Sequence, residues 1–397
     1  MTTESELLRP ARGTRPSNRR QLIIDAANDL FTQRGFADIG MGDVASAVAI
    51  GPSALYRHFR GKQDLLAVVI DDELTRFATV VRACAADPTR DAATELAAMM
   101  LAHRGVGVLL RREARNLRPE DAAAFRATAR GIAATMAELI RIRRPSLGQA
   151  DSNLLAWCAI AVANSISFHS LTLPEPEFIA LLAQLITITF EAEIPAAAGD
   201  SEPVTDTPRL VMQSRRELIL THAVPLFAMK GFTAVSMDDI GAAIGITGSS
   251  VYNHFDSKAE ILAAAIIRGD EWLRIDMYRT FASTGDPRTG LTGLLAGYCA
   301  VAQDNPRLMQ VLISETAHLL DADRHRTRAA QHTYISEWVH LVHQVHPDWD
   351  AISTRIRVQA TLTMINDAGL TPHGWPRHRL EPALIAIGAQ LLDLAGP

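Results

Sequence analysis

The feature that most constrains this chain is an internal repeat. Residues 19–66 align without a gap on residues 215–262 at a constant offset of 196, and 19 of the 48 positions are identical. Arg19/Arg215, Leu30/Leu226, Phe31/Phe227, Gly35/Gly231, Phe36/Phe232, Tyr56/Tyr252, His58/His254, Phe59/Phe255 and Lys62/Lys258 are among the matched pairs. The period is too long for a solenoid, so the chain reads as two homologous halves. Between them, the proline-, alanine- and acid-rich stretch 194–208 carries no apolar stripe and reads as a linker. The expected organisation is a basic arm (1–16), a first head (17–66), a first helical body (67–193), the linker (194–208), a second head (209–262) and a second body (263–397).

Apolar residues recur at three- and four-residue spacing almost throughout, which predicts an all-α chain. In the first copy Leu22, Ile23, Ala26, Ala27, Leu30 and Phe31 form one stripe of a helix that should stop at Gly35. A short second helix is expected over Met41–Val48 and a third over Ser53–Phe59, with Gly51-Pro52 as the break and Pro52 suited to a first helical turn. Two short helices joined by a tight turn and propped by a longer one make a helix-turn-helix, whose second helix can enter a major groove.

The residues of the third helix suit that role. Ser53 and Ala54 are small enough for close backbone approach, Arg57 lies beside them, and Tyr56, His58 and Lys62 offer phosphate contacts. Copy two places Thr247, Gly248, Ser249, Ser250, Tyr252, Asn253, His254 and Lys258 at the matching positions, with Ser236 opening its second helix. Upstream, Arg12, Arg15, Arg19 and Arg20 form a basic arm, and Arg215 and Arg216 stand ahead of copy two. Plain helical packing mimics this pattern, and aromatic residues at helical spacing are usually core. A Tyr-x-His-Phe-x-x-Lys run occurring twice favours DNA binding.

Composition narrows the alternatives. With 397 residues, 48% hydrophobic and 21% charged, the chain is an ordinary folded protein with two domains expected. A formal net charge of −5 means any DNA contact must come from a local basic face. The apolar run at Leu154–Ala163 stops at Asn164 and Ser165, too short for a bilayer span, and the arginine-rich start lacks an apolar signal core. Cys84, Cys158 and Cys299 lie far apart in apolar company, which fits buried thiols in a reducing cytoplasm. No nucleophile elbow, phosphate loop or dinucleotide fingerprint is present, so neither an enzyme nor a cofactor is expected.

The motifs resemble the TetR family of bacterial transcriptional repressors: Leu-Phe-x-x-x-Gly-Phe at Leu30–Phe36 and Leu226–Phe232, Met-x-Asp-[Val/Ile] at the second helices, and [Leu/Val]-Tyr-x-His-Phe-x-x-Lys at Leu55–Lys62 and Val251–Lys258. The duplication is similar to tandem TetR regulators of actinobacteria, and Leu109–Leu117 and Phe168–Pro174 are similar to a regulator of a mammalian-cell-entry lipid-import operon. The resemblance implies two DNA heads, helical bodies that bind a small effector, and a four-helix bundle between subunits. Here that bundle would form within one chain, an intrachain pseudo-dimer built from Asp151–Leu171, Glu177–Glu193, Ala351–Leu370 and Leu380–Leu394. Further homodimerisation is left open.

Copy two departs from copy one at informative places. Pro225 replaces Asp29 and should kink its helix. Gly40 stands where copy two has the better cap Ser236. Arg57 and Arg60 become Asn253 and Asp256, so the second head is less basic and the operator should be asymmetric.

Each half carries about 130 residues beyond its head, more than bracing needs. Arg111, Glu113, Trp157, Phe168 and His169 in half one, and Tyr298, Glu315, His318 and Trp338 in half two, are candidates for an effector pocket, although core packing is the plainer reading of the aromatic residues and a solvated helix face explains the charged ones as well. Polar groups set among Arg111, Arg112 and Glu113 have Ser314, Glu315 and His318 as approximate counterparts. An apolar cavity with few polar anchors suits a lipid, sterol or acyl-thioester. Glu337, His340, His343 and His346 recur every third residue, but positions six apart diverge around a helix, so a decorated surface helix is expected over a metal site. The competing readings are a metal-responsive regulator, a carrier or enzyme with vestigial heads, and a scaffold.

Overall fold

The computed structural model describes residues 18–195 and 213–394. Arg12 and Arg15 and nearly all of the linker lie outside the described residues. No strand occurs among the described residues. Each half begins with three helices: α1 (Arg19–Arg34), α2 (Met41–Ala47) and α3 (Pro52–Leu55), then α10 (Arg215–Lys230), α11 (Met237–Ala243) and α12 (Gly248–Val251). A long helix, α4 (Lys62–Ala86) or α13 (Lys258–Ser283), leads from head into body.

The first body continues through α5 (Ala92–Ala102), α6 (Val106–Val108), a π-helical turn (Leu109–Glu113), a 3-10 turn (Ala114–Asn116), α7 (Pro119–Arg143), α8 (Gln149–Asn164), a 3-10 turn (Ser165–Phe168) and α9 (Glu175–Glu191). The second comprises α14 (Pro287–Asp304), α15 (Pro306–Ser314), a 3-10 turn (Thr316–His318), α16 (Asp321–Val345), α17 (Ala351–Ala368) and α18 (Arg377–Leu391).

The first helix of each head forms for the reason its stripe predicts. Ile23, Ala27 and Phe31 on α1, and Ile219, Ala223 and Phe227 on α10, are wholly buried at four-residue spacing. Both helices end at a glycine in the left-handed region, Gly35 at φ 89° and Gly231 at φ 81°, a conformation that side chains with a Cβ resist. Pro225 removes one ladder donor but does not end α10, which matches α1 at 16 residues. Buried Ala223 and Phe227 hold the chain in place on both sides of it.

The halves pack on each other through their last two helices. α8 lies against α17, α9 against α8 and α18, and α17 against α18, a four-helix arrangement inside one chain. Polar bonds cross this contact: Gln390 and Glu193 exchange side-chain and backbone bonds at 3.0 and 3.1 Å, Trp375 Nε1 donates to Ala150 O at 2.9 Å, and Arg357 Nη2 donates to Gln184 Oε1 at 2.6 Å. α17 is enclosed on several sides, so Ile356, Val358, Ala360, Met364 and Ile365 are all fully buried. Cys84, Cys158 and Cys299 are buried and unpaired. Among the described residues no single helix is long and apolar enough to cross a membrane.

Candidate functional site

The third helix of each head is shorter than its sequence pattern suggests. α3 stops at Leu55, and Arg57 and His58 bond back to Ala54 and Leu55 in i→i+3 fashion at 3.3 and 2.9 Å, so the helix tightens before Phe59. Leu55 and Phe59, like Val251 and Phe255, point into the core. This turns Gly51, Pro52, Ser53, Tyr56, Arg57 and His58 outward in the first head, and Thr247, Ser249, Tyr252 and Asn253 in the second. Tyr56 and Tyr252 are each 55% exposed. Ala54, Ser250 and His254 are half-buried. The Thr247 side chain caps α12 by accepting from Ser250 N–H at 3.3 Å and lies 2.8 and 2.9 Å from the Ser249 and Ser250 hydroxyls.

Several expected DNA contacts are differently placed. Lys258 turns back into its own head: Nζ donates to Phe232 O at 2.6 Å and Val235 O at 2.5 Å, and lies 4.4 Å from the centre of the Phe232 ring. Lys62 does the same more weakly, reaching Ala37 O at 3.2 Å over the Phe36 ring. Both lysines therefore strap the loop after the first helix, Lys258 through three loop carbonyls and Lys62 through one, each over an aromatic face. Burial holds both ammonium groups below their ordinary pKa despite nearby carboxylates. Gly248 is buried, and a Cβ there would run into the Asp238 carboxylate; the glycine permits a close approach and does not face outward. Arg216 stacks on Phe255 at 3.9 Å, bonds His254 O and pairs with Glu260. Arg20 lies over Phe59 at 5.4 Å, while Arg215 is exposed. Arg19 opens α1.

The two second helices begin unequally. Asp43 and Asp239 each accept from the cap N–H, of Gly40 at 2.7 Å and Ser236 at 2.8 Å. Only Ser236 closes the box, its Oγ accepting from Asp239 N–H at 3.0 Å. The Ser236 bonds lower the Asp239 carboxyl to about 2.

Each head rests on its body through a buried acid. The paired 3-10 turns and the helices after them place Glu113 in register with Glu315, correcting the looser correspondence read from sequence. Glu113 is 3% exposed, pairs with Arg112 and accepts from Asn116 Nδ2 at 3.0 Å. Arg112 Nη2 then donates to Phe31 O and Thr32 O at 2.8 and 2.9 Å, closing the end of α1. Glu315 is fully buried and accepts from Phe232 N–H at 2.9 Å and Ser314 Oγ at 2.8 Å. His318 stacks on Phe232 at 5.1 Å. The cation that pairs with Glu315 comes from the other half: it is Arg115. Glu113, Glu315 and His318 are therefore joint residues, not pocket lining.

In the second body a cavity of about 670 Å³ opens between α13, α15, α16 and α17. Of the residues singled out as ligand contacts, Arg111, Phe168 and Tyr298 line it. Arg111 and Phe168 belong to the first half, with the guanidinium 4.1 Å from the Phe168 ring centre and ion-paired to Asp367 of α17. Burial lowers Arg111 to about 10. Tyr298 donates to Asn366 Oδ1 at 3.0 Å. Asp270, on the otherwise apolar stripe Ile266, Leu273 and Met277, is pushed by burial up to about 7. Asp270 and Asp367 belong to no motif; the signal for the first is a carboxylate on a buried stripe.

The remaining candidates do not line the cavity. Trp338 is fully buried behind Tyr298 and Tyr334, edge-on to both. Trp157 is half-buried on α8. His169 sits in a loop clamped by Arg104, which donates to Ile166, His169 and Leu171 carbonyls at 2.6–2.8 Å; burial and Arg104 lower the imidazole to about 4. On α16, His340 faces Gln344 at 3.0 Å, and His346 stacks on Trp349. No group of three or more metal-type ligands occurs among the described residues.

The profile of the bacterial regulatory proteins, tetR family, matches residues 23–69 and 219–265, covering α1–α3 and α10–α12 almost completely. The HTH-type transcriptional repressor KstR2 of Rhodococcus jostii is 32% identical over 124 residues, 31% of this chain and 57% of that protein. A HTH-type transcriptional regulator of Staphylococcus aureus, SAB2452, is 42% identical over 60 residues, 15% of this chain and 32% of its own length. The chain thus spans about half or less of the length of these curated relatives. A solved TetR-family regulator from Bordetella parapertussis aligns over 46% of this chain and 94% of its own, at 19% identity and a TM-score of 0.41. At the start of each half, in tandem, the chain carries a segment that matches the bacterial regulatory proteins, tetR family.

Proposed function

We propose that this protein is a sequence-specific DNA-binding transcriptional regulator that acts as its own dimer, and that a small amphipathic effector bound in the helical body releases it from its operator. The observation that carries the reading is the pair of short third helices, each turning one serine-bearing N-terminus and one half-exposed tyrosine outward. Ser53, Ala54, Tyr56, Arg57 and His58 form the first reading surface, and Thr247, Ser249, Ser250, Tyr252 and Asn253 the second. The small residues approach base edges, while the tyrosines, His58 and the cap of the second helix at Ser236 meet phosphates. Arg19, Arg20 and Arg215 add sequence-neutral attraction.

The relatives carry the names of a transcriptional repressor and a transcriptional regulator, which supports the repressor class. Because Arg57 and Arg60 face Asn253 and Asp256 at equivalent positions, the two half-sites differ and the operator is asymmetric. An effector would favour a head spacing that no longer matches successive major grooves, about 34 Å apart.

Fluorescence anisotropy with DNA from upstream of the protein's own coding sequence tests the reading. Affinity should fall steeply, by roughly 10³-fold or more between 50 and 200 mM salt if six or more phosphates are contacted. Arg57→Ala should weaken binding about tenfold or more, and Tyr56→Phe by less. Unchanged affinity in both variants would remove the first head from the interface.

A further inference from the structure

The cavity of the second body is built from both halves, and its counterpart in the first half is not. The register that aligns Glu113 with Glu315 sets Ile313 at the position of Arg111 and Ser165 at that of Asp367. A reciprocal site in the first body would therefore lack both the cation and its acid. Where the second body has Asp270 and Tyr334, the first has Leu74 and Ile132, both buried side chains without a polar group.

Inside the cavity, an apolar wall interrupted by Asp270 stands beside charged groups, Arg111 from the first half and Glu271, Arg274, Arg326 and Arg328 from the second. Leu273, Met277, Met309 and Leu312 are buried side chains of that wall. Arg111 stands at the junction of the halves, 11% exposed, against Phe168 and Asp367. A guanidinium offers five N–H donors in a planar fork, and a single carboxylate satisfies at most two, which leaves donors over for an occupant. Thr327 Oγ1 and Tyr334 Oη, also in the lining, are buried without a hydrogen-bond partner of normal geometry. Buried polar groups in this state cost free energy until a ligand or water meets them. A volume of about 670 Å³ falls in the range of small-molecule sites.

We propose that this cavity binds one amphipathic anion per chain, a hydrocarbon body with a carboxylate-type head, and that Arg111 of the first half anchors the head by sharing or exchanging its pairing with Asp367. This deepens the effector reading and rests on it. The anion replaces part of the Asp367 interaction, the apolar wall covers the chain, and the threonine and tyrosine hydroxyls supply the remaining polar contacts. The stoichiometry follows from the missing anchor in the other body.

The test uses the full-length protein and two matched probes, dodecanoate and dodecan-1-ol, competing with the fluorescent anion 8-anilinonaphthalene-1-sulfonate. One fluorophore per chain should bind, and dodecanoate should displace it at least tenfold more effectively than the alcohol. Arg111→Gln should abolish that preference while leaving dodecanol displacement intact, and Arg111→Lys should restore part of it, a pattern that loss of folding cannot produce. Ala330→Trp, at the exposed rim of the lining, should weaken both probes alike. Equal displacement by acid and alcohol, an unaltered preference in Arg111→Gln, two bound fluorophores per chain, or unchanged binding in Ala330→Trp would each overturn the proposal. Operator affinity measured on the same samples separates these outcomes from failure of the regulator reading.

Discussion

At the scale of single residues, the lysines that close the two motifs are the instructive case. Their spacing after Tyr-x-His-Phe suggests a phosphate contact, yet each finds loop carbonyls and an aromatic face within its own head. Lys258→Ala should cost about 1–2 kcal/mol in urea denaturation, since hydrogen bonds to a charged donor are worth somewhat more than neutral ones. Lys62→Ala should cost less, because Lys62 makes the longer and weaker bond. A variant of Lys258 with unchanged stability and uniformly weaker DNA binding would return the residue to the phosphate backbone.

The helix caps give a pH dependence with a definite sign. Asp239 is depressed to about 2 in the folded protein by its bonds to Ser236. A carboxyl held lower when folded than when unfolded stabilises the fold above its unfolded pKa, near 4, and that contribution is lost as pH falls from there toward 2. Ser236→Ala should remove about 1 kcal/mol at neutral pH and flatten this acid dependence, whereas Gly40→Ser should add a few tenths in the first head. Thermal melts of the three proteins across pH 2–6 would check both, and identical acid profiles in wild type and Ser236→Ala would contradict the assignment.

Among elements, long helices were legible and short ones only partly so. The stripe Ile23, Ala27, Phe31 and its copy gave helix, face and glycine stop together, because burial and periodicity there agree. The third helices are shorter than the pattern predicts, since Tyr56 to His58 keep helical spacing in sequence while the backbone tightens to i→i+3 bonds. Charged groups at the head joints were legible as buried but not as to partner: no periodicity links Arg115 to Glu315 across 200 positions. The approach of α11 to α12 is similarly hidden. A Cβ on Gly241 would lie 2.7 Å from Ile246 O, although the first copy carries Ala45 at this position. Gly241→Ala should therefore destabilise the second head by about 1–3 kcal/mol through overpacking and reduce binding at its half-site alone. Equal loss at both half-sites would count against that account.

For the whole molecule, duplication within one chain has let the halves diverge. The cavity that takes an arginine from the opposite half lies in the second body, and among the described residues the serine-closed capping box lies in the second head. The halves also depend on each other energetically. Arg115→Ala leaves Glu315, with no exposed surface, short of its cation, and breaking a buried pair from one side costs about 3–5 kcal/mol. The variant should melt earlier and lose contact with the second half-site first, as footprinting on an asymmetric operator would show. Protection that vanishes evenly from both half-sites would argue that Arg115 serves the fold at large.

Residues 111–115 occupy barely one turn of backbone, yet Arg111 meets the cavity, Arg112 closes the first head's leading helix and Arg115 secures the second head. With Glu113 paired to Arg112, four of the five positions in this stretch are engaged. A genetic screen for loss of inducibility and one for loss of repression should converge on it, and the alleles recovered will resist sorting into sensors and readers.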